Sequence, residues 1–457
     1  MRRSMVIHGG NEPGANLANA ARLLAFAAVF CLLCCGCGER ETQRKGAAGQ
    51  ETGQNGNTAE DLMREVREGR GEAAEYETTE APEEILYADA TDFAVELLKG
   101  NMAGKNGDNV MVSPLSVMTA LAMTANGAQG DTLNQMLSVL GENQDMDSWN
   151  RNLKAWTEGF AGMEETKLDI ANSVWFRDDE QLALEKGFLE RNAFYYDADI
   201  YQMPFRGDAL GNINAWVEEK TGGKVKSILD KIDEDAVMYL VNTVVFDAKW
   251  MRPYEEYQVS EGSFTNAMGE KEKVFYMYAT QSTYIEDENA VGFVKPYKEG
   301  FCFVAIKPEE GISPEEYMES MDGEHFRELL SEAKTEVIVE TGLPKFEAEY
   351  EADLGGILSG LGMEDAFNRE RADFRGMGAI PDKNIYISKV IHRTCISVGE
   401  LGTEALAATV EECVAEAAEE PDMEIYYVYL RSPFVYAIVE NETNVPVFIG
   451  ILNTVDG

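Results

Sequence analysis

Apolar residues recur along this chain with two periods, and stretches of the two kinds alternate irregularly. Spacings of three and four residues, the signature of a half-buried helix, mark 85–98, 188–195, 213–229, 314–321 and 353–361. Strand-like runs read at 168–176, 237–246, 272–278, 291–297, 301–307, 335–346, 385–396, 425–430, 434–440 and 445–452. The run 237–246 is apolar almost throughout, as expected of a central strand covered on both faces. Near residue 113 the pattern is a helix start: Ser113 suits the N-cap and Pro114 the first turn. Leu115, Met118, Ala122 and Ala125 then form a continuous apolar stripe that Asn126-Gly127 ends. Mixed rather than strictly alternating helices and strands predict an α+β architecture. With no internal repeat and no second boundary, residues 85–457 read as one domain.

One stretch breaks the pattern. Between the strands at 385–396 and 425–430 runs SVGELGTEALAATVEECVAEAAEEP, from Ser397 to Pro421, with no Lys or Arg and almost no bulk. Long irregular connections are uncommon inside a domain and usually functional. Thr403, Ala405, Ala407 and Thr409 are small and uncharged at alternate positions, so they would share one face if the stretch became a strand. Glu404 and Leu406 would point the other way, and Gly399 and Gly402 free the backbone at the base. A solvated alanine-rich loop fits the same residues. The pattern alone leaves both readings open.

Composition narrows the partners. The chain has 457 residues, 45% of them hydrophobic, and 82 acids against 39 bases give a net charge of −43. Phosphate backbones demand a basic face, so nucleic acid is not an expected partner. Four of the seven cysteines (Cys31, Cys34, Cys35 and Cys37) crowd the N-terminus, while Cys302, Cys395 and Cys413 form neither a disulfide framework nor a zinc spacing. Arg2, Arg3 and Arg22 flank the apolar run 23–35, which is too short to span a bilayer and reads as an export signal. Gly36-Cys37-Gly38 resembles a bacterial lipoprotein cleavage site with Cys37 as the acylated residue. Cys34 stands where that motif prefers Leu, so plain secretion is the other reading. Both place the domain outside the cytoplasm, secreted or anchored to the outer face of a bacterial cell membrane. Residues 38–84 hold thirteen acids, six bases and one aromatic, Tyr76, and are expected to be a disordered tether. As a flexible coil it would span roughly 35–40 Å.

Catalytic chemistry is missing from the sequence. The histidines are His8, His325 and His392, and no G-x-S-x-G accompanies any serine. Ser331-x-x-Lys334 and Lys220-Thr221-Gly222 mimic two penicillin-recognising motifs, but in reversed order. H-E-x-x-H, a P-loop and G-x-G-x-x-G are all absent. No enzyme activity, cofactor or metal is therefore expected.

Five segments, taken together, are similar to signatures of the serpin family and stand in that family's order. They are VSPLSVMTALAMTANGAQGDT, INAWVEEKTGGKVKSIL, LVNTVVFDAKW, LPKFEAEYEADLGGILSGLGMEDAF and ISKVIHRTCISVGELGTEALAAT. Asp247-Ala248 and Arg375 depart locally from the pattern. The resemblance implies the serpin fold: a large central, mostly antiparallel sheet, further sheets, about eight or nine helices and an exposed reactive-centre loop. It implies a monomer that traps a serine protease as a covalent complex after the loop is cut and inserts into the central sheet. By the same resemblance Ser113, Ser116, Asn242 and His392 form a latch beneath that sheet, and Lys345 pairs with Glu400 at its top. The hinge comprises Glu400, Gly402, Thr403, Glu404, Ala405, Ala407, Ala408 and Thr409. Family spacing puts the cut at Glu416-Ala417. Because the loop is longer than usual, the bonds around Val414, Ala415 and Ala418 stay open. Glu411 is the one residue whose charge would resist burial. Lacking any basic residue from 394 to 430, the loop suits a small elastase-type pocket, although a Glu-specific protease would accept Glu416. A non-inhibitory binding protein and an inhibitor of cysteine proteases are the alternatives.

Overall fold

The computed structural model describes residues 59–68, 76–105, 107–141, 144–178, 182–233, 235–381, 383–403 and 424–456. Its central sheet contains β1 (Glu60–Asp61), β2 (Thr166–Arg177), β3 (Asp199–Met203), β4 (Met238–Lys249), β5 (Phe346–Asp353), β6 (Lys389–Val398) and β7 (Gly402–Thr403). The spatial order is β1-β3-β2-β4-β7-β6-β5, with β4 also paired to β6. Two pairings, β2 with β3 and β4 with β6, are parallel, and the rest are antiparallel. A nine-stranded sheet packs behind it, running from the edge strand Ile425–Tyr429 through Phe434–Glu440 and Pro446–Leu452 to Val110–Val112.

Among the described residues there are ten α-helices, slightly more than the resemblance implied. Five of them are α1 (Arg64–Glu68), α2 (Glu84–Met102), α3 (Pro114–Ala125), α4 (Met146–Gly159) and α5 (Lys186–Tyr196). Strand β4 shows why its sequence is apolar on both sides. Met238, Leu240, Val244 and Phe246 enter the main core, which includes Leu115 and Met118 of α3. Tyr239 and Val241 enter a second cluster with Ile213, Trp216 and Val217 of the helix Ala209–Lys220. Every residue of α3 is buried. Burying polar backbone that deeply is tolerable only because the helix satisfies it internally.

Three expectations change. The run 335–346 is two strands, Lys334–Pro344 and β5, which break at Lys345 and enter different sheets. The helix predicted over 213–229 spans Ala209–Lys220. Beyond it, the Asn214 side chain accepts from the Ile228 and Leu229 amides at 2.8 and 3.1 Å and folds the tail back. The tether expected at 38–84 is also corrected in part, since residues 59–68 and 76–84 lie against the domain. Met63 is fully buried, and β1 pairs with β3. Averaging charge over the whole segment hid the short apolar anchor Leu62-Met63 and its neighbour Val66, which pack on the core.

Candidate functional site

The base of the unusual stretch is built into the top of the central sheet. After β6 the chain turns at Gly399, whose amide donates to the Gly402 carbonyl at 3.0 Å. It then re-enters the sheet as β7, antiparallel to both neighbours, with Thr403 opposite Val398 of β6 and Ala248 of β4. Gly402 is required here by close approach, because a Cβ would sit 2.0 Å from the Ala248 carbonyl oxygen. Thr403 is fully buried, and its hydroxyl lies 2.6 Å from that of Tyr297.

An aromatic platform grips the same turn. The Trp250 amide donates to Leu401 O at 2.9 Å, its indole N–H to Gly399 O at 2.8 Å, and the Tyr254 amide to Glu400 O at 2.9 Å. Trp250 stacks on Tyr297 at 4.3 Å. Beneath the platform lies buried Lys295, its Nζ 4.1 Å from the Tyr254 ring centre and 5.0 Å from that of Trp250. It donates to the Arg252 carbonyl oxygen at 3.0 Å. Burial, with a smaller push from the Arg252 charge, lowers its pKa to about 7. At the surface Lys345 Nζ meets Glu400 Oε1 at 2.8 Å, both side chains about one-third exposed. Burial would raise the Glu400 carboxyl, but the hydrogen bond and charge of Lys345 outweigh it and hold it below its ordinary range.

Further down the β4–β6 seam, four of the residues taken as the latch meet. His392 of β6 lies directly across from Asn242 of β4, which lies across from Asn172 of β2. His392 Nδ1 is 2.5 Å from Asn242 Oδ1, and its Nε2 accepts from the Ser113 amide at 3.1 Å. An acceptor role for Nε2 puts the proton on Nδ1, which donates to Asn242. Burial lowers the His392 pKa to about 3, so the ring is neutral. The Asn242 amide donates to Ser116 O at 2.8 Å, to Ser116 Oγ at 2.5 Å and to Asn172 Oδ1. Ser113 takes part through its backbone rather than its hydroxyl, and it does not cap α3 with its side chain. Its Oγ has no hydrogen-bond partner among the described residues.

Lys345 stands apart from this network and belongs with Glu400 at the top. Asn172, Tyr297 and Lys295 are additions that the sequence reading missed. Two of the three carried a signal. Asn172 is in phase with Leu168, Ile170 and Val174 on the core face of β2, and Lys295 interrupts an apolar strand, Ala290–Pro296. The hinge residues Glu404, Ala405, Ala407, Ala408 and Thr409 lie outside the described residues. So do Val414, Ala415, Glu416, Ala417 and Ala418 around the expected cut, and Cys37.

Comparison with known proteins gives consistent matches. A family model described as Serpin (serine protease inhibitor) matches residues 88–455. Human serpin B9 is 29% identical over 380 residues, covering 80% of this chain and 98% of that protein. An uncharacterized serpin-like protein of Methanosarcina acetivorans is 28% identical over 395 residues, covering 81% and 87%. Among solved structures, the thermophilic serpin tengpin in its native state matches with a TM-score of 0.80 at 42% identity, over 87% of this chain and 99% of that one. The same protein in its latent state matches with a TM-score of 0.71 at 40% identity, over 83% and 100%.

Proposed function

The chain belongs to the serpin family, and on that premise we propose that it is a suicide-substrate inhibitor of serine endopeptidases with an elastase-like preference. The observation that carries this reading is the β7 wedge, which already separates the upper ends of β4 and β6. In the proposed reaction the protease's serine Oγ attacks the carbonyl carbon of the residue before the cut, which is Val414, Ala415 or Ala417 for an elastase-type pocket and Glu416 for a Glu-specific one. The bond to the next residue's nitrogen breaks, the amine leaves with a proton, and the residue before the cut stays esterified to the protease. The freed loop then continues β7 down the seam. Because β4 and β6 are parallel to each other and β7 is antiparallel to both, insertion exchanges one parallel ladder for two antiparallel ones. Each added hydrogen bond contributes about 1 kcal/mol net. Thr403, Ala405, Ala407 and Thr409 are small enough to line the buried face. That composition favours inhibition over a purely binding role.

Incubation with pancreatic elastase and, separately, a Glu-specific protease tests the reading by denaturing electrophoresis. A covalent complex is expected, with a released peptide beginning at Ala415, Glu416 or Ala418 for elastase and at Ala417 for the Glu-specific protease. Complete cleavage that leaves the protease fully active overturns it. The N-terminal segment is proposed to export a monomer and tether it through acylated Cys37. Cys37→Ser would then release the protein into the medium, whereas unchanged membrane fractionation argues for another anchor.

A further inference from the structure

The edge strand Ile425–Tyr429, which the chain enters soon after the unusual stretch, is aromatic on its outward face. In register, Tyr427 lies across from Glu340 and Thr280, and Tyr429 from Gly342 and from Tyr278 of the strand Lys271–Glu286. Residues paired directly across strands share a face. The rings of Tyr278, Tyr429 and Tyr427 therefore form one row, with centres 6.2 and 6.4 Å apart. Gly342 makes the row possible. A Cβ there would sit 2.9 Å from a Tyr429 ring carbon and 3.1 Å from one of Tyr278, so bare backbone lets both rings approach. At its outer end the row is open, with Tyr427 64% exposed and its face-mate Ile425 54%. Alternate residues turn inward, where Tyr426 stacks on Tyr284 at 3.9 Å and Val428 is buried.

The rim of this row is acidic. Glu340 accepts from the Thr280 hydroxyl at 3.2 Å, and Glu424 accepts from the Tyr426 hydroxyl. Neither carboxylate has an ion-pair partner among the described residues. Arg431 already lies over the Tyr429 ring at 5.2 Å, so this surface accepts a guanidinium on its π face. The neighbouring Tyr427 ring carries no such cation among the described residues. An open ring between two unpaired carboxylates is complementary to a lysine or arginine of another molecule.

Position decides which molecule. Ile425 lies eleven residues after Val414 and seven after Ala418. An extended chain covers at most roughly 3.5 Å per residue, so every candidate bond is within about 40 Å of the row. A protease domain of roughly 220 residues has a radius of gyration of about 17 Å. Seated on any of those bonds, it is held within reach of the row. We propose that Tyr427, flanked by Glu340 and Glu424, is a secondary docking surface for a lysine or arginine of the target protease, on the side that receives the residues after the cut. The proposal rests on the reading that a protease takes the loop as substrate. It assigns the row to capture of the protease and not to insertion of the loop.

The test uses the full chain and neutrophil elastase, chosen for its basic surface, with the enzyme's catalytic serine changed to alanine. Binding by interferometry is expected to weaken at least about tenfold in Y427A and to stay within about twofold in Y427F. Y257A, which removes a still more exposed tyrosine beside the other foot of the loop, is expected to bind as the wild type does. E340Q/E424Q should slow association about fivefold at 50 mM salt, and the difference should vanish at 0.5 M. With active elastase, Y427A should slow complex formation while leaving the ratio of complex to cleaved inhibitor unchanged. Wild-type binding by Y427A, a larger loss in Y257A, or no binding by the wild-type chain overturns the docking surface. So does sedimentation showing a wild-type dimer that Y427A dissolves, which would give the row to a second copy. If Y427A loses binding to the inert enzyme but the wild type forms no covalent complex with the active one, docking stands and the inhibitor reading falls.

Discussion

The β4–β6 seam is held in two places by different physics. At the top, a wedge of the loop itself, β7, fills the gap, and the contacts are aromatic stacking, a buried lysine and hydrogen bonds to the turn 399–401. In the middle the strands still pair directly, and His392, Asn242, Asn172 and Ser116 form a closed set of hydrogen bonds across three strands. The top is already open by one residue pair, whereas the middle must lose its network before a strand can pass. Insertion should therefore start at the top at little cost and meet its barrier at the latch. Packing decides entry, and polar satisfaction decides passage.

The strongest way to break this contrast is at the wedge. T403R forces a charged side chain into a fully buried position beside Tyr297. An unpaired buried charge costs several kcal/mol, so covalent trapping is expected to fall more than about 100-fold while cleavage of the loop continues. The readout is the ratio of complex to cleaved inhibitor on a denaturing gel. A normal ratio would show that the chain does not enter at β7. Second in size is N242A, which strands the His392 Nδ1–H and removes the donor to Ser116 and Asn172. Each orphaned buried group costs roughly 1–3 kcal/mol. Calorimetry should record a lower native thermal midpoint, with conversion accelerated and loop cleavage unaffected.

The two places also hold two buried bases, and pH separates them. His392 drops from an ordinary 6.5 to about 3 in the fold. Between those values the unfolded chain binds a proton that the native one does not, so stability falls as pH falls from 6.5 towards 3. Lys295, with a folded value of about 7 against about 10.4 unfolded, drains stability between pH 10 and 7 and adds no further pH dependence below that. Urea unfolding across pH should show K295M gaining on the wild type as pH falls to 7, then holding its lead. H392Q should begin to gain only below pH 6.5. The slopes should not exceed about 1.4 kcal/mol per pH unit. Overlapping windows would mean that the top and the middle titrate as one unit.

Much of this site was legible in the sequence, for physical reasons that also mark where legibility stopped. Apolar periodicity located β4 and α3, and the small residues at alternate positions from Thr403 predicted a face fit for burial. That β7 is already inserted was not readable, because its partners, Ala248 and Val398, are far off in sequence and ordinary in type. Cross-strand register, which no local pattern encodes, also brought Asn172 to the latch. Residues 59–68 depart from the expected tether for a different cause. Their attachment to the sheet edge resides in Met63 and Arg67, two residues within an acidic stretch whose average composition argued for disorder.

The smallest effect is expected at the exposed end of the top, and it sharpens the contrast most finely. Lys345 and Glu400 join the end of the Lys334–Pro344 strand to the turn before β7, at 2.8 Å and about one-third exposed. Exposed pairs contribute about 0.2–1 kcal/mol and weaken as salt rises. K345A, E400A and the double variant together form a cycle whose coupling should fall within that range in urea unfolding and shrink in 1 M salt. If entry at the top is set by the packing of Trp250, Tyr297 and Thr403, the cycle should leave complex formation nearly unchanged. A coupling of several kcal/mol, or complex formation that collapses in K345A, would make the ion pair the true clasp of the hinge and reduce the aromatic platform beneath it to a scaffold.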